Sequence, residues 1–135
     1  MTAIGKVLKP GGLFWIQTCT PQQVLSGMWW ASLIPNAASR VAARFTAIPV
    51  FEQQLTVAGL STISINIPEQ TLTPMEQYLD MNAPFSEAFR KSDSTWALAT
   101  EAELKAGLDW WKRMIESGQA AKALEDAEIV RKVIG

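Results

Sequence analysis

The large apolar residues of this chain follow several different spacings. Residues 13–16 form a continuous run of leucine, phenylalanine, tryptophan and isoleucine, which is typical of a strand buried on both faces of a parallel sheet. Residues 61–67 alternate between isoleucine and polar side chains, and this alternation predicts a half-buried strand. Most other apolar positions recur at helical intervals. The pattern therefore predicts an α/β fold.

Helix-start and helix-stop signals place the helices between and after the two strands. Thr20 and Thr100 each stand three residues before a glutamine or glutamate, the spacing of a capping box. Gly59 and Gly118 follow apolar helical stretches and can close them in a left-handed conformation. Residues 1–135 are expected to form one domain without an internal boundary. The predicted helices cover about 21–33, 36–45, 49–58 and 100–118, with short helices opened at Thr73 and near Phe85 and a last helix carrying Leu124, Ala127 and Val130.

The composition removes several classes of function. The chain contains no histidine, so a Ser-His-Asp or Cys-His hydrolase and a histidine-ligated zinc site are excluded within it. Cys19 is the only cysteine, which rules out an intrachain disulfide. The formal net charge of -1 offers no electrostatic basis for binding nucleic acid. We therefore expect neither a metal site nor a nucleic-acid partner.

No segment has the sequence properties of a secretory signal or a membrane span. The N-terminus lacks a charged region followed by an apolar core and a small-residue cleavage site. The most apolar run, from Val24 to Ile34, is about eleven residues long, whereas crossing a bilayer takes about twenty. We expect a soluble, cytoplasmic protein with no membrane partner.

Two stretches of the sequence resemble the class I S-adenosylmethionine-dependent methyltransferases that act on small molecules. The first, Val7–Phe14, contains a Lys-Pro-Gly-Gly turn similar to the one that precedes the fifth strand in that family. The second, Phe51–Ile63, contains Ala-Gly-Leu and is similar to the step from a helix into the sixth strand. The order and spacing of the two stretches agree with the family, and together they cover about a quarter of the chain.

The resemblance implies which part of such an enzyme this chain corresponds to. The fold would be a partial Rossmann-like methyltransferase sheet, holding the fifth and sixth strands, with a predominantly helical insert on the substrate side. The parent family binds S-adenosylmethionine through a glycine-rich turn after its first strand. The Gly11–Gly12 pair instead precedes a strand, so this chain alone is expected to bind no cofactor and to be inactive. It would be the C-terminal part of a methyltransferase domain.

The loop after the first predicted strand supplies the candidate substrate contacts. The resemblance implies that this loop faces a small-molecule methyl acceptor, which makes Thr18, Thr20 and Gln22 candidate polar contacts. Trp29, in the next helix, is a candidate wall of an aromatic pocket. Each has a structural alternative, since Thr20 can cap the helix, Thr18 can bond the loop backbone, and Trp29 can pack in the core. No residue is assigned a catalytic role, and Cys19 is interpreted as a small buried hydrophobe.

The remaining aromatic and acidic residues favour structural interpretations. Trp29-Trp30 and Trp110-Trp111 are adjacent pairs, and neighbouring positions on a helix point about 100° apart. At most one tryptophan of each pair is therefore expected to face the core centrally. The acidic residues of the two C-terminal helices are interpreted as solvated helix faces.

Two functions from different classes remain open on the sequence alone. The first is the substrate-side part of a small-molecule methyltransferase, in which catalysis depends mainly on proximity and orientation. The second is a non-catalytic helical binding or assembly module that completes its sheet with a partner or a second copy. In both cases the unpaired edges of the strands at residues 13–16 and 61–67 would allow self-association.

Overall fold

The computed structural model describes residues 4–61, 63–67 and 75–134, and its regular elements are helical. A π-helical turn at Gln23–Gly27 and 3₁₀ turns at Trp29–Leu33 and Ala83–Phe85 complete the described elements. The α-helices are α1 (Ile4–Val7), α2 (Pro35–Ala42), α3 (Ile48–Val57), α4 (Met75–Tyr78), α5 (Glu87–Ser92), α6 (Ser94–Ala97), α7 (Glu101–Glu116) and α8 (Ala120–Ile134).

The predicted α/β fold with a partial Rossmann-like sheet is wrong for this structure. The described ranges contain no β-strand, and neither residues 13–16 nor residues 63–67 pair with another segment. Both segments follow the patterns that predict strands, but a strand also needs a neighbour that bonds its N–H and C=O groups. The described part of the chain supplies no such neighbour. Thr62, within the second predicted strand, lies outside the described residues, as does Thr73, the predicted start of the helix before α4.

The buried core is built around tryptophans, and we call it the tryptophan core. It consists of Trp29, Trp30, Trp96 and Trp111 with Leu33, Ile34, Ala37, Tyr78, Ala120 and Leu124. These residues come from the 3₁₀ turn at Trp29–Leu33 and its junction with α2, and from α2, α4, α6, α7 and α8. The core therefore joins segments that are far apart in the sequence, from residue 29 to residue 124. The rings meet edge-on or tilted, with centroids 4.8 Å apart for Trp29 and Trp111 and 5.9 Å apart for Trp29 and Trp30.

Helix α7 shows how local sequence and packing agree. The side chain of Thr100 accepts a hydrogen bond from the backbone N–H of Glu103, and the Glu103 carboxylate accepts one from the Thr100 N–H, which confirms the predicted capping box. Gly118 takes a φ of 75° just beyond the helix, as predicted for its C-terminal end. Gly107 lies against the backbone carbonyl of Leu33, where an added Cβ would collide. Because that glycine has no side chain, α7 and the 3₁₀ turn approach closely enough to bury Trp111.

The helix predicted over residues 21–33 is interrupted in the structure. Thr20 and Gln23 form the predicted capping box, so the start is confirmed. The chain then continues through the π-helical turn and becomes extended at Met28, where φ is -108° and ψ is 108°. The Tyr78 hydroxyl donates to the carbonyl of Gly27, immediately before this break. A contact with a residue far along the chain thus accompanies the end of the helical run.

A second region, here called the apolar flank, comprises residues 4–18, 48–61 and 63–67. None of residues 5–18, 48–61 and 63–67 is buried, and α3 has no buried side chain. Two parts of the flank meet where Gly5 lies against the Ala58 carbonyl so closely that a Cβ would not fit. The exposed large apolar residues of the flank are Val7, Leu13, Phe14, Trp15, Ile16, Val50, Val57, Ile63, Ile65 and Ile67.

Among the described helices, none is both long enough and apolar enough to span a bilayer.

Candidate functional site

The four predicted substrate contacts differ in their exposure and in the partners of their polar groups. Thr18 is exposed, and its hydroxyl donates to the Cys19 carbonyl at 3.3 Å. Gln22 is also exposed, and its Nε2 donates to the Ser26 hydroxyl at 3.0 Å. Both side chains bond only to near neighbours in sequence, so their polar groups lie on the surface at the start of the π-helical turn. Their role as acceptor contacts stays a prediction.

The other two candidates, Thr20 and Trp29, stabilise the fold. Thr20 accepts a hydrogen bond from the Gln23 N–H at 3.1 Å as a helix cap. Trp29 is buried, and its indole Nε1 donates to the Tyr78 carbonyl at 2.5 Å. The alternatives stated for these residues from sequence, capping and core packing, describe their observed contacts.

The tryptophan pairs differ from each other. Trp111 is buried while Trp110 is 39% exposed, as expected for adjacent positions on an α-helix. Trp29 and Trp30 are both buried, contrary to the expectation that only one of them faces the core. Trp30 packs edge-on against Tyr78 and Phe89 while Trp29 packs against Trp111. Partners on two sides of the 3₁₀ turn therefore bury both rings.

Two open cavities lie beside α7. One, of about 280 Å³, is a groove beside the contact of α7 with the 3₁₀ turn at Trp29–Leu33 and with the start of α2. Its lining includes Asn36, Glu103 and Trp110. The other, of about 380 Å³, lies near the end of α7, where Phe85 and Lys112 contribute to its wall. None of the four predicted substrate contacts lines either cavity. Both are grooves open to solvent rather than enclosed pockets.

Glu103 is the most strongly perturbed carboxylate of the described residues. The Thr100 N–H donates to its Oε2 at 2.9 Å, and the Arg40 guanidinium lies 2.5 Å from the same oxygen. Together these donors lower the pKa of Glu103 to about 2. Arg40 also donates to the Leu98 carbonyl at 2.7 Å, so the pair joins α2 to the start of α7. A carboxylate with so low a pKa is a poor proton acceptor at neutral pH, and we assign Glu103 a structural role.

Cys19 has the environment of an unreactive thiol. It is half-buried, and burial, followed by the nearby Asp93 carboxylate, raises its pKa. A raised pKa keeps the sulfur protonated at neutral pH, and the thiolate is the nucleophilic form. The structure thus supports the interpretation of Cys19 as a packing residue.

Tyr78 is a central residue for which the sequence carried no signal. Its hydroxyl donates to the Gly27 carbonyl at 2.6 Å, its own carbonyl accepts from Trp29, and Arg131 lies 5.5 Å from the centre of its ring. Burial raises the pKa of Tyr78 to about 12. It is the only tyrosine in the chain and stands in no periodic pattern, because its partners come from distant segments.

A second indole forms a similar link. The Nε1 of Trp111 donates to the Met81 carbonyl at 2.7 Å, so α7 bonds to the segment that follows α4.

Within the part of the chain that the structure describes, no group of three or more His, Cys, Asp or Glu residues is placed to hold a metal ion. The geometry therefore describes a helical unit with open grooves and a hydrogen-bonded aromatic core.

Comparison with protein-family models, with curated proteins and with solved structures gives no match for this chain.

Proposed function

We propose that this chain is the helical, acceptor-side part of an S-adenosylmethionine-dependent methyltransferase that acts on a small molecule. One observation supports the proposal: both stretches that resemble the family contain their glycine turns, although the strands that follow these turns in the family are absent from the described residues. In the first, the Gly12 N–H donates to the Lys9 carbonyl at 2.8 Å and Gly11 has a φ of 75°. In the second, Gly59 ends α3 with a φ of 81°. Gly5, two residues before the first stretch, lies against the Ala58 carbonyl of the second stretch although the two positions are distant in sequence.

The turn at Gly11 does not have the form of a cofactor-binding turn. It leads into a segment without regular secondary structure rather than into a helix, and a Cβ on Gly11 would meet nothing within 4 Å. An open turn of this kind provides no cradle for a cofactor. We therefore expect another part of the enzyme to hold the cofactor and this chain alone to bind none.

The chain would contribute the positioning of the methyl acceptor. Thr18 and Gln22 are the candidates that keep exposed polar groups, whereas Thr20 and Trp29 are held by the fold. None of these groups is a strong base, which fits a transfer that depends on proximity and orientation. A cytoplasmic location is part of the same proposal.

The proposal is tested by sequencing the full-length transcript and assaying the protein that it encodes. Incubation with tritiated S-adenosylmethionine and a panel of phenols, amines, thiols and carboxylic acids should label at least one acceptor. Thr18→Val and Gln22→Leu should each raise KM for that acceptor about three- to tenfold, because each removes a hydrogen bond. Ser92→Ala, at the end of α5, is the matched control and should leave KM unchanged. Absence of methyl transfer to every acceptor class would contradict the proposal.

The isolated chain provides an independent check. Calorimetric titration with S-adenosylmethionine should give no heat of binding. Micromolar binding would show that the chain carries a cofactor site of its own.

A second candidate function is a non-catalytic helical binding or assembly module. The apolar flank favours it, because Leu13 is 95% exposed and Trp15 is 78% exposed. Adjacent exposed apolar residues of this size commonly mark interaction surfaces. Light scattering and titration with binding partners test this function, and a chain that stays monomeric and binds no partner would contradict it.

A further inference from the structure

Residues 13–17 of the apolar flank form no regular secondary structure and have no backbone partner within the described residues. In the described part of the chain, none of their N–H or C=O groups bonds to another group, and the turn before them closes at Gly12. Their side chains are exposed as well, with Phe14 41% and Ile16 37% exposed. In an extended conformation this segment would present free hydrogen-bonding groups along both of its edges and apolar side chains on both of its faces.

The charged residues nearest to this segment in the sequence have one sign. Lys6 and Lys9 precede it, and neither forms an ion pair within the described residues. The chain carries no acidic residue before Glu52, and its basic residues up to that point are Lys6, Lys9, Arg40 and Arg44. Arg40 is compensated by Glu103. The uncompensated lysines therefore favour an acidic surface as the complement.

We propose that residues 13–17 dock by adding a strand to the open edge of a β-sheet in an acidic partner protein. This inference deepens the second candidate function and rests on it. A sheet edge supplies acceptors and donors for the free backbone groups, and the faces of the partner's sheet cover the alternating side chains. Acidic side chains near that edge would pair with Lys6 and Lys9.

A lipid surface and a second copy fit these observations less well. Hydrocarbon would bury the apolar side chains but would leave the backbone N–H and C=O groups without hydrogen-bond partners. A second copy that paired through the same segment would bring the same lysines and no acidic residue in its first 51 positions. Charge and backbone together thus favour a different protein with an acidic sheet edge.

The test uses fluorescence anisotropy with a labelled nine-residue peptide that alternates valine and glutamate. Two control peptides accompany it: one alternates valine and lysine, and the other is the acidic peptide with N-methylated backbone nitrogens along one edge. The chain should bind the acidic peptide, bind the basic peptide at least about tenfold more weakly, and lose binding to the N-methylated peptide. Higher salt should weaken binding of the acidic peptide.

Variants of the chain locate the contact. Neighbouring N–H groups of a strand point to opposite edges, so Trp15→Pro and Ile16→Pro remove donors from different edges. One of them should weaken binding about tenfold, while Ile16→Thr, which keeps the N–H, should weaken it less. Val133→Thr, at an exposed position of α8, is the control for loss of an apolar side chain. Circular dichroism should show an unchanged helical core in all four, since residues 13–17 are exposed.

Each alternative gives a different result. Equal binding of the N-methylated peptide would overturn strand addition while leaving the module function in place. Binding only to phosphatidylglycerol vesicles, or concentration-dependent self-association without peptide binding, would overturn the acidic protein partner. No binding in any of these assays would overturn both the inference and the module function, whereas the methyl-transfer assay would be unaffected.

Discussion

The tryptophan core and the apolar flank contain the same kinds of side chain and treat them in opposite ways. Trp111 is 1% exposed, whereas Trp15 is 78% exposed. In the core, the buried indoles of Trp29 and Trp111 also donate hydrogen bonds to carbonyls of distant segments. In the flank, residues 13–17 form no such bonds within the described part of the chain. Hydrophobicity alone therefore does not decide burial, because a residue is buried only where other segments surround it.

The largest expected difference between the regions is the cost of removing a tryptophan. Trp111→Ala should lower the free energy of unfolding by about 3–5 kcal/mol, because it leaves a cavity and an unpaired Met81 carbonyl. Trp15→Ala should change it by less than about 0.5 kcal/mol. Guanidinium unfolding followed by circular dichroism measures both. Equal losses would mean that the flank contributes to the same cooperative core.

The next largest expected difference comes from replacing one closely packed glycine in each region. Gly107→Ala should destabilise the chain by about 1–3 kcal/mol, because the new Cβ collides with the Leu33 carbonyl and forces α7 away from the 3₁₀ turn. Gly5→Ala makes a similar collision with Ala58, but within the flank. It should leave the unfolding midpoint of the core unchanged. A loss with Gly5→Ala as large as with Gly107→Ala would contradict the separation of the two regions.

Tyr78 should make the stability of the core depend on pH in the alkaline range. Its pKa rises from an ordinary value of 10.0 to about 12 in the folded chain because burial disfavours the phenolate. A raised pKa adds stability that is complete below about pH 10 and is lost as the pH rises towards 12. Tyr78→Phe should lower stability by about 1 kcal/mol at neutral pH and should remove this part of the alkaline decline. Urea unfolding at a series of pH values from 8 to 12 measures both effects, and an identical alkaline decline in the variant would exclude Tyr78 as its source.

The smallest expected effect comes from the partly exposed Glu103 carboxylate near the start of α7. Hydrogen bonds from Thr100 and Arg40 lower the pKa of Glu103 from 4.5 to about 2, so its contribution is present above about pH 4.5 and is lost as the pH falls towards 2. Glu103→Gln should therefore show a shallower acid decline than the unchanged chain. Acid titrations followed by tryptophan fluorescence compare the two. Parallel acid transitions would show that this link contributes nothing measurable.

Local sequence predicted the boundaries of helices well where the determining contacts are short. The capping boxes at Thr20 and Thr100 and the positive φ values at Gly59 and Gly118 were all predicted and are present. Each depends on hydrogen bonds or steric freedom within a few residues. The sequence also predicted that at most one tryptophan of the Trp110-Trp111 pair would face the core, since adjacent positions of a helix point about 100° apart, and only Trp111 is buried.

The same reasoning failed where a second segment decides the outcome. Residues 13–16 have the composition of a buried strand, yet no neighbour in the described chain pairs with them. The helix from residue 21 was expected to continue to 33, but it ends at the carbonyl that Tyr78 holds. Of the four candidate substrate contacts, Thr20 caps a helix and Trp29 packs in the core. Contact of Thr18 and Gln22 with a methyl acceptor stays a prediction.

The sequence by itself determined where helices start and stop, because those signals act over a single turn. It also determined which chemistry is missing, since a chain without histidine cannot place one in a site. Only the tertiary structure decided which apolar segments are covered, why Trp29 and Trp30 are both buried, and that Tyr78 ties Gly27 to the core. Such contacts join residues far apart along the chain, and a pattern read over a few neighbouring positions does not contain their partners.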